Sequence, residues 1–96
     1  MSTIYLVVYE EYDDTCGMVD GKSIIFEKAF KLLNEAQIYM HKMYNEEAER
    51  LKAFGMKIES ESSENNKASI VYSYHPILTA IKRHINYYIR EIELAE

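Results

Sequence analysis

The chain predicts a single α+β domain spanning residues 1–96: a mostly antiparallel sheet of about five strands with one long helix packed on one face, in the order ββαβββ. Three observations carry this. The stretch from Asn34 to Gly55 holds one consistent helical period, with Ala36, Met40, Met43, Ala48, Leu51 and Phe54 along one stripe and Tyr39 and Tyr44 on its flanks. Segments rich in β-branched and aromatic residues stand on either side of it. One proline and three glycines leave few sharp breaks, so the elements are expected to be long.

Thr3–Tyr12 is the first strand. Ile4, Leu6 and Val8 would share one face and Tyr5, Val7 and Tyr9 the other. Both faces are apolar, which predicts a central strand. Asp13 to Gly21 carries Asp13-Asp14, Gly17 and Asp20-Gly21, all turn formers, and is expected to be a long hairpin loop.

Lys22–Leu33 fits two periods. Ile24, Phe26, Phe30 and Leu32 alternate as in a strand, interrupted only at Lys28, yet Phe26, Phe30 and Leu33 also extend the helical stripe backwards. Asn34 decides for a strand followed by a helix, because its side chain suits an N-cap and Gln37 follows at capping-box spacing. Gly55 supplies the left-handed residue that ends the helix.

Met56–Ser62 alternates as a half-buried strand, 63–66 (SENN) turns, and Lys67–Tyr74 is a second strand of the same hairpin. His75-Pro76 then breaks the ladder, since proline has no amide to donate. A short helix is expected over Pro76–Arg83. For 77–96 the periodicity favours a helix. Lys82 and Arg83 near its start and Glu91, Glu93 and Glu96 at its end would oppose the helix dipole, and its isoleucines and tyrosines favour a strand.

The order IYLVVYEEYDD, an acidic glycine-containing loop, KAFKLLNEAQIYM and a terminal YYIREIEL resembles small uncharacterised proteins of phages and mobile elements. In that group a hairpin ends on an aromatic residue (Phe30), a helix opens with a small residue and a tyrosine (Ala36 and Tyr39), and the last strand closes on Glu91-Ile92-Glu93. The resemblance implies a strand over 84–94. Leu6, Val8, Phe30, Ala36, Met40, Met43 and Leu51 are the expected core.

The formal charge of −5 is local in origin: residues 1–21 hold Glu10, Glu11, Asp13, Asp14 and Asp20 and no lysine or arginine. Such a chain does not bind nucleic acid by counterion release. The ordinary role of such acid is a solubilising face; the sharper one is docking on a basic partner. Nine tyrosines without a tryptophan supply half-buried rings for binding surfaces. Tyr9 and Tyr12 flank the acid, so Tyr9, Glu10, Glu11, Tyr12, Asp13, Asp14 and Asp20 form the expected partner-binding site. Tyr72, Tyr74, Tyr87 and Tyr88 are the next place to look.

Cys16, His41, His75 and His84 stand at no metal-ligand spacing, and Cys16 beside Asp13, Asp14 and Asp20 is a poor nucleophile. Asp13, Asp14 and Asp20 do not fit a twelve-residue calcium loop, because no glutamate closes it. No phosphate loop, G-x-S-x-G or H-E-x-x-H is present, so no catalytic residue, cofactor or metal is expected.

A lone cysteine, no recognisable leader and no apolar run of membrane length lead to the expectation of a soluble protein of the host cell cytoplasm that makes no contact with a membrane. Together with the phage resemblance, this suggests a small acidic protein-binding module that inhibits a host defence enzyme in the manner of an anti-CRISPR protein, docking on that protein's basic surface. The alternatives are a homodimeric structural or accessory module and a small-ligand binder that stacks nucleotides on its tyrosines.

Overall fold

A computed structural model describes residues 2–15, 18–74 and 81–95. The chain forms β1 (Ser2–Thr15), β2 (Met18–Phe30), α1 (Leu33–Ala53), β3 (Lys57–Ser63), β4 (Lys67–Tyr74) and β5 (Ile81–Leu94). All strand pairs are antiparallel, and the sheet order is β2-β1-β5-β4-β3. The expected ββαβββ architecture is therefore the observed one.

β5 enters between the two hairpins, with Ile4 opposite Ile92, Val8 opposite Tyr88 and Asp14 opposite Lys82. The strand reading of 84–94 holds, and the strand begins earlier, at Ile81. The short helix expected to end at Arg83 is corrected over Ile81–Arg83, where the ladder with β1 and β4 claims the backbone. Its remaining part and the His75-Pro76 break lie outside the described residues.

The expected long loop after Tyr12 is also corrected. Asp13 pairs with Asp20, Asp14 with Val19 and Thr15 with Met18, so the ladder runs almost to the tip of the hairpin. The turn formers tolerate the strand because β1 is bonded on both sides there, to β2 and to β5.

α1 starts at Leu33, one residue before the expected Asn34 cap. Leu32 stands in the cap position in extended conformation and offers no side-chain bond; the first helical amide is that of Ala36, which donates to the Leu32 carbonyl at 3.2 Å. Phe30 is held in the ladder opposite Tyr5, which leaves two residues in which to begin the helix. The C-terminus follows expectation: Gly55 has φ +74°, its amide donates to the Lys52 carbonyl at 3.0 Å, and the Met56 amide donates to the Leu51 carbonyl at 3.0 Å. This paired arrangement satisfies carbonyls that the last turn leaves open.

The helix presses Ala36, Met40, Tyr44, Ala48 and Leu51 onto Val7, Ala68, Ile70, Tyr72, Ile85 and Tyr87, with Phe30, Met43 and Ile58 packed around them. The β1 face chosen is thus Tyr5-Val7-Tyr9. Leu6 and Val8, expected in this core, lie on the opposite face; Val8 is fully buried there and Leu6 half-buried. A bulge in the β1–β2 ladder between Val7 and Val8 puts Lys28 and Phe30 on the helix side while Ile24 stays on the other. Gln37 Nε2 donates to Asn66 Oδ1 at 2.8 Å, and Lys52 Nζ lies 3.2 Å from Glu61 Oε1, tying both ends of the helix to the β3–β4 hairpin. No helix among the described residues is long and apolar enough to cross a membrane.

Candidate functional site

Strand alternation divides the acidic segment between the two faces of the sheet. Tyr9, Glu11 and Asp13 belong to the helix side, while Glu10, Tyr12 and Asp14 belong to the uncovered side. Asp20 lies across the hairpin ladder from Asp13. The seven residues therefore do not converge on one point.

The fold also supplies the base that the first 21 residues lack. β5 places Arg83 opposite Asp13 and Lys82 opposite Asp14. The Arg83 guanidinium donates from Nε to Asp13 Oδ1 at 2.7 Å and from a terminal nitrogen to Oδ2 at 3.1 Å, a two-point pairing that fixes both side chains. Lys82 reaches sideways to Glu59 on β3 at 3.3 Å.

On the helix side, the Tyr9 hydroxyl donates to Glu11, and its ring meets Tyr87 edge-on at 5.2 Å. Burial, and then the Glu11 carboxylate, push the Tyr9 phenol well above its ordinary range; Tyr87 is raised in the same direction, chiefly by burial. Tyr72 is raised by burial as well, an effect that the Arg83 charge partly offsets. The Tyr9, Tyr72 and Tyr87 hydroxyls thus stand in a poorly hydrated layer of the helix side.

The face of the sheet away from α1 carries a different set of side chains. The Tyr12 ring stacks on the His84 ring at 4.6 Å with an interplanar angle of 7°. His84 Nε2 is buried, and Asp14 Oδ2 stands 3.7 Å away, too far for a hydrogen bond. One step along the strands, Glu10, Asn86, Ser69 and Ser62 form a single cross-strand row over β1, β5, β4 and β3. They line a groove of about 420 Å³ together with Tyr88, Lys67 and Glu64. Lys67 Nζ is 3.7 Å from Glu64 Oε2, and among the described lining residues the charged groups are the carboxylates of Glu10 and Glu64 and the Lys67 ammonium.

Of the residues that line the groove, the sequence singles out Glu10 and, as a second choice, Tyr87 and Tyr88. Asn86, Ser69 and Ser62 carried no signal, because they come from three strands and meet only through the register. Among the described residues no group of three or more His, Cys, Asp or Glu is placed to hold a metal ion. Cys16 and His75 lie outside the described residues; His41 is on α1, its Nδ1 3.3 Å from Ser63 Oγ. No family model, curated protein or solved structure matches the chain.

Proposed function

We propose that this chain is a small protein-binding module that docks on a basic surface of a partner protein through the uncovered face of its sheet, at and beside the acidic hairpin. The observation that supports this is the groove: a polar row of Glu10, Asn86, Ser69 and Ser62 beside the half-buried Tyr88 ring and the Tyr12–His84 stack, on the face that α1 leaves open. Two carboxylates against one ammonium favour a cationic side chain, and the serine and asparagine oxygens accept from guanidinium or ammonium donors. Tyr88 and Tyr12 add ring surface over which a cation is attracted. The same carboxylates repel nucleotide phosphates, which sets the small-ligand reading behind this one.

Combined with the resemblance to phage and mobile-element proteins, the partner in this reading is a host defence enzyme with a basic nucleic-acid groove, and the chain acts as an anti-CRISPR-like inhibitor. Expression in a CRISPR-bearing host should restore plating of a targeted phage. Glu10→Lys with Tyr88→Ala should abolish that protection and slow association with the captured enzyme, while circular dichroism and the melting temperature stay near wild type. Association of the wild-type chain should slow as salt rises, since exposed charge is screened over about 8–10 Å at physiological ionic strength. A folded double variant that protects as well as wild type removes the groove from the reading, and a wild-type chain that never protects removes the inhibitor role.

A further inference from the structure

We propose that His84 is a proton switch on the docking face: neutral, it leaves the Asp14 carboxylate to a cationic partner; protonated, it takes that carboxylate for itself and weakens docking. The inference rests on the docking reading above and names how that same face is regulated.

Among the described residues, His84 Nε2 is the one buried side-chain nitrogen or oxygen that has no hydrogen-bond partner. The Tyr12 ring, stacked at 4.6 Å, holds the imidazole in place, and Asp14 Oδ2 lies 3.7 Å from Nε2. A neutral imidazole carries on Nε2 either a lone pair, which faces the carboxylate unfavourably, or an N–H that stops short of it. Protonation puts an N–H on both nitrogens, and a closure of about 1 Å then turns the approach into a charge-assisted hydrogen bond.

The neighbours leave this pairing to His84. Lys82, opposite Asp14 in the ladder, reaches to Glu59 on β3 at 3.3 Å. The other groups that face His84 among the described residues are Tyr12 opposite it and Glu10 beyond on β1, and the uncharged Val71 opposite it on β4. α1 packs against the other side of the sheet.

Position ties the switch to the groove. His84 and Asn86 are two residues apart on β5, so the imidazole stands about 7 Å from the Glu10–Asn86 row on the same face. A proton on His84 adds one positive charge there and withdraws one carboxylate. A partner that brings guanidinium or ammonium groups to this row therefore binds the neutral form better. Affinity is full above the histidine range and falls as pH drops through it. Charges about 7 Å apart at a surface change a dissociation constant about three- to tenfold.

The test is isothermal titration calorimetry of the full chain with an octa-arginine peptide at constant ionic strength, at pH about 7.5 and about 5.5, a window in which ordinary carboxylates stay charged. The wild-type Kd should rise by that factor at the lower pH. His84→Phe, which keeps a ring for Tyr12 to stack on, should bind equally at both, and His41→Asn should behave as wild type. In the free wild-type chain the carbon-13 shift of the Asp14 carboxylate should move with the His84 ring nitrogens through one midpoint, a readout that needs neither peptide nor variant. Three results would each overturn the proposal and leave the docking reading standing: peptide affinity that Glu10→Lys abolishes but pH does not change, a pH step retained in His84→Phe, or an Asp14 signal that does not follow the His84 titration. A wild type that binds no peptide at the higher pH would remove the docking reading and the switch with it.

Discussion

Replacing isoleucine with alanine at two positions isolates what the helix-on-sheet packing contributes. Ile70 is fully buried in β4, opposite Ile85 on one side and Glu61 on the other, in the layer that α1 covers. Ile38 is on α1 itself and 68% exposed. The chemistry removed is identical, three carbons. At Ile70 the lost transfer free energy is about 2.4 kcal/mol at ~0.8 per buried methylene, and the cavity left between sheet and helix brings the expected loss to about 3–4 kcal/mol. A domain of this size has on the order of 5–14 kcal/mol in total, so Ile70→Ala takes a large share and lowers the melting temperature by roughly 20 °C. At Ile38 little burial is lost and alanine is the better helix former, so stability should stay within about 0.5 kcal/mol of wild type or rise slightly. Urea unfolding followed by far-ultraviolet circular dichroism and tyrosine fluorescence measures both. Losses that agree within about 0.5 kcal/mol, or a larger loss at Ile38, would refute the placement of α1 over β4.

Gly55→Ala should cost about 1–2 kcal/mol in thermal unfolding, because φ is +74° although nothing lies within 4 Å of the added carbon; Gly55→Asn should recover part of it, and an unchanged midpoint would contradict the left-handed cap. Arg83→Ala should cost about 1–2 kcal/mol by removing the two-point bond to Asp13, with the deficit shrinking in high salt; a salt-independent loss would point to packing of the arginine stem instead. Tyr9 and Tyr87 are raised above the unfolded phenol value near 10, so their contribution to stability is full below that pH and is lost as pH rises through and beyond it. Phenolate absorbance should therefore show at least two of the nine tyrosines ionising only as the chain unfolds, and titration of all nine near pH 10 with the fold intact would exclude their burial.

Element type was legible where one period dominated, as in the helix, the 67–74 strand and the Gly55 stop. It was less so where two physical signals competed. β1 is apolar on both faces, so alternation paired Tyr5, Val7 and Tyr9 correctly without deciding that the helix would take that face rather than Leu6 and Val8. The β1–β2 bulge separates Ile24 from Phe30, a change of side that no propensity scale records. In sequence the acid of the hairpin stands unopposed because Lys82 and Arg83 are distant, and only the insertion of β5 next to β1 brings them alongside. The groove shows the same limit: Glu10 stood out as part of an acidic run, whereas Asn86, Ser69 and Ser62 acquire meaning only from a three-strand register.

The position of β5 has a consequence for how the chain comes off the ribosome. It is the one described strand bonded to both hairpins, and it emerges after both of them. Until it emerges, β1 exposes an inner edge bearing Val7 and Val8, and β4 exposes the edge that Ile70 and Tyr72 will share with it. Both are open to wrong neighbours during synthesis, when chaperones have their best access. Closure then joins β1 to β5 across nearly the whole chain, the kind of distant pairing that folds in milliseconds to seconds rather than microseconds. A chain that has emerged only as far as Tyr74 holds two hairpins and a helix that β5 has not yet joined into one sheet, which makes the entry of β5 the step that closes this fold.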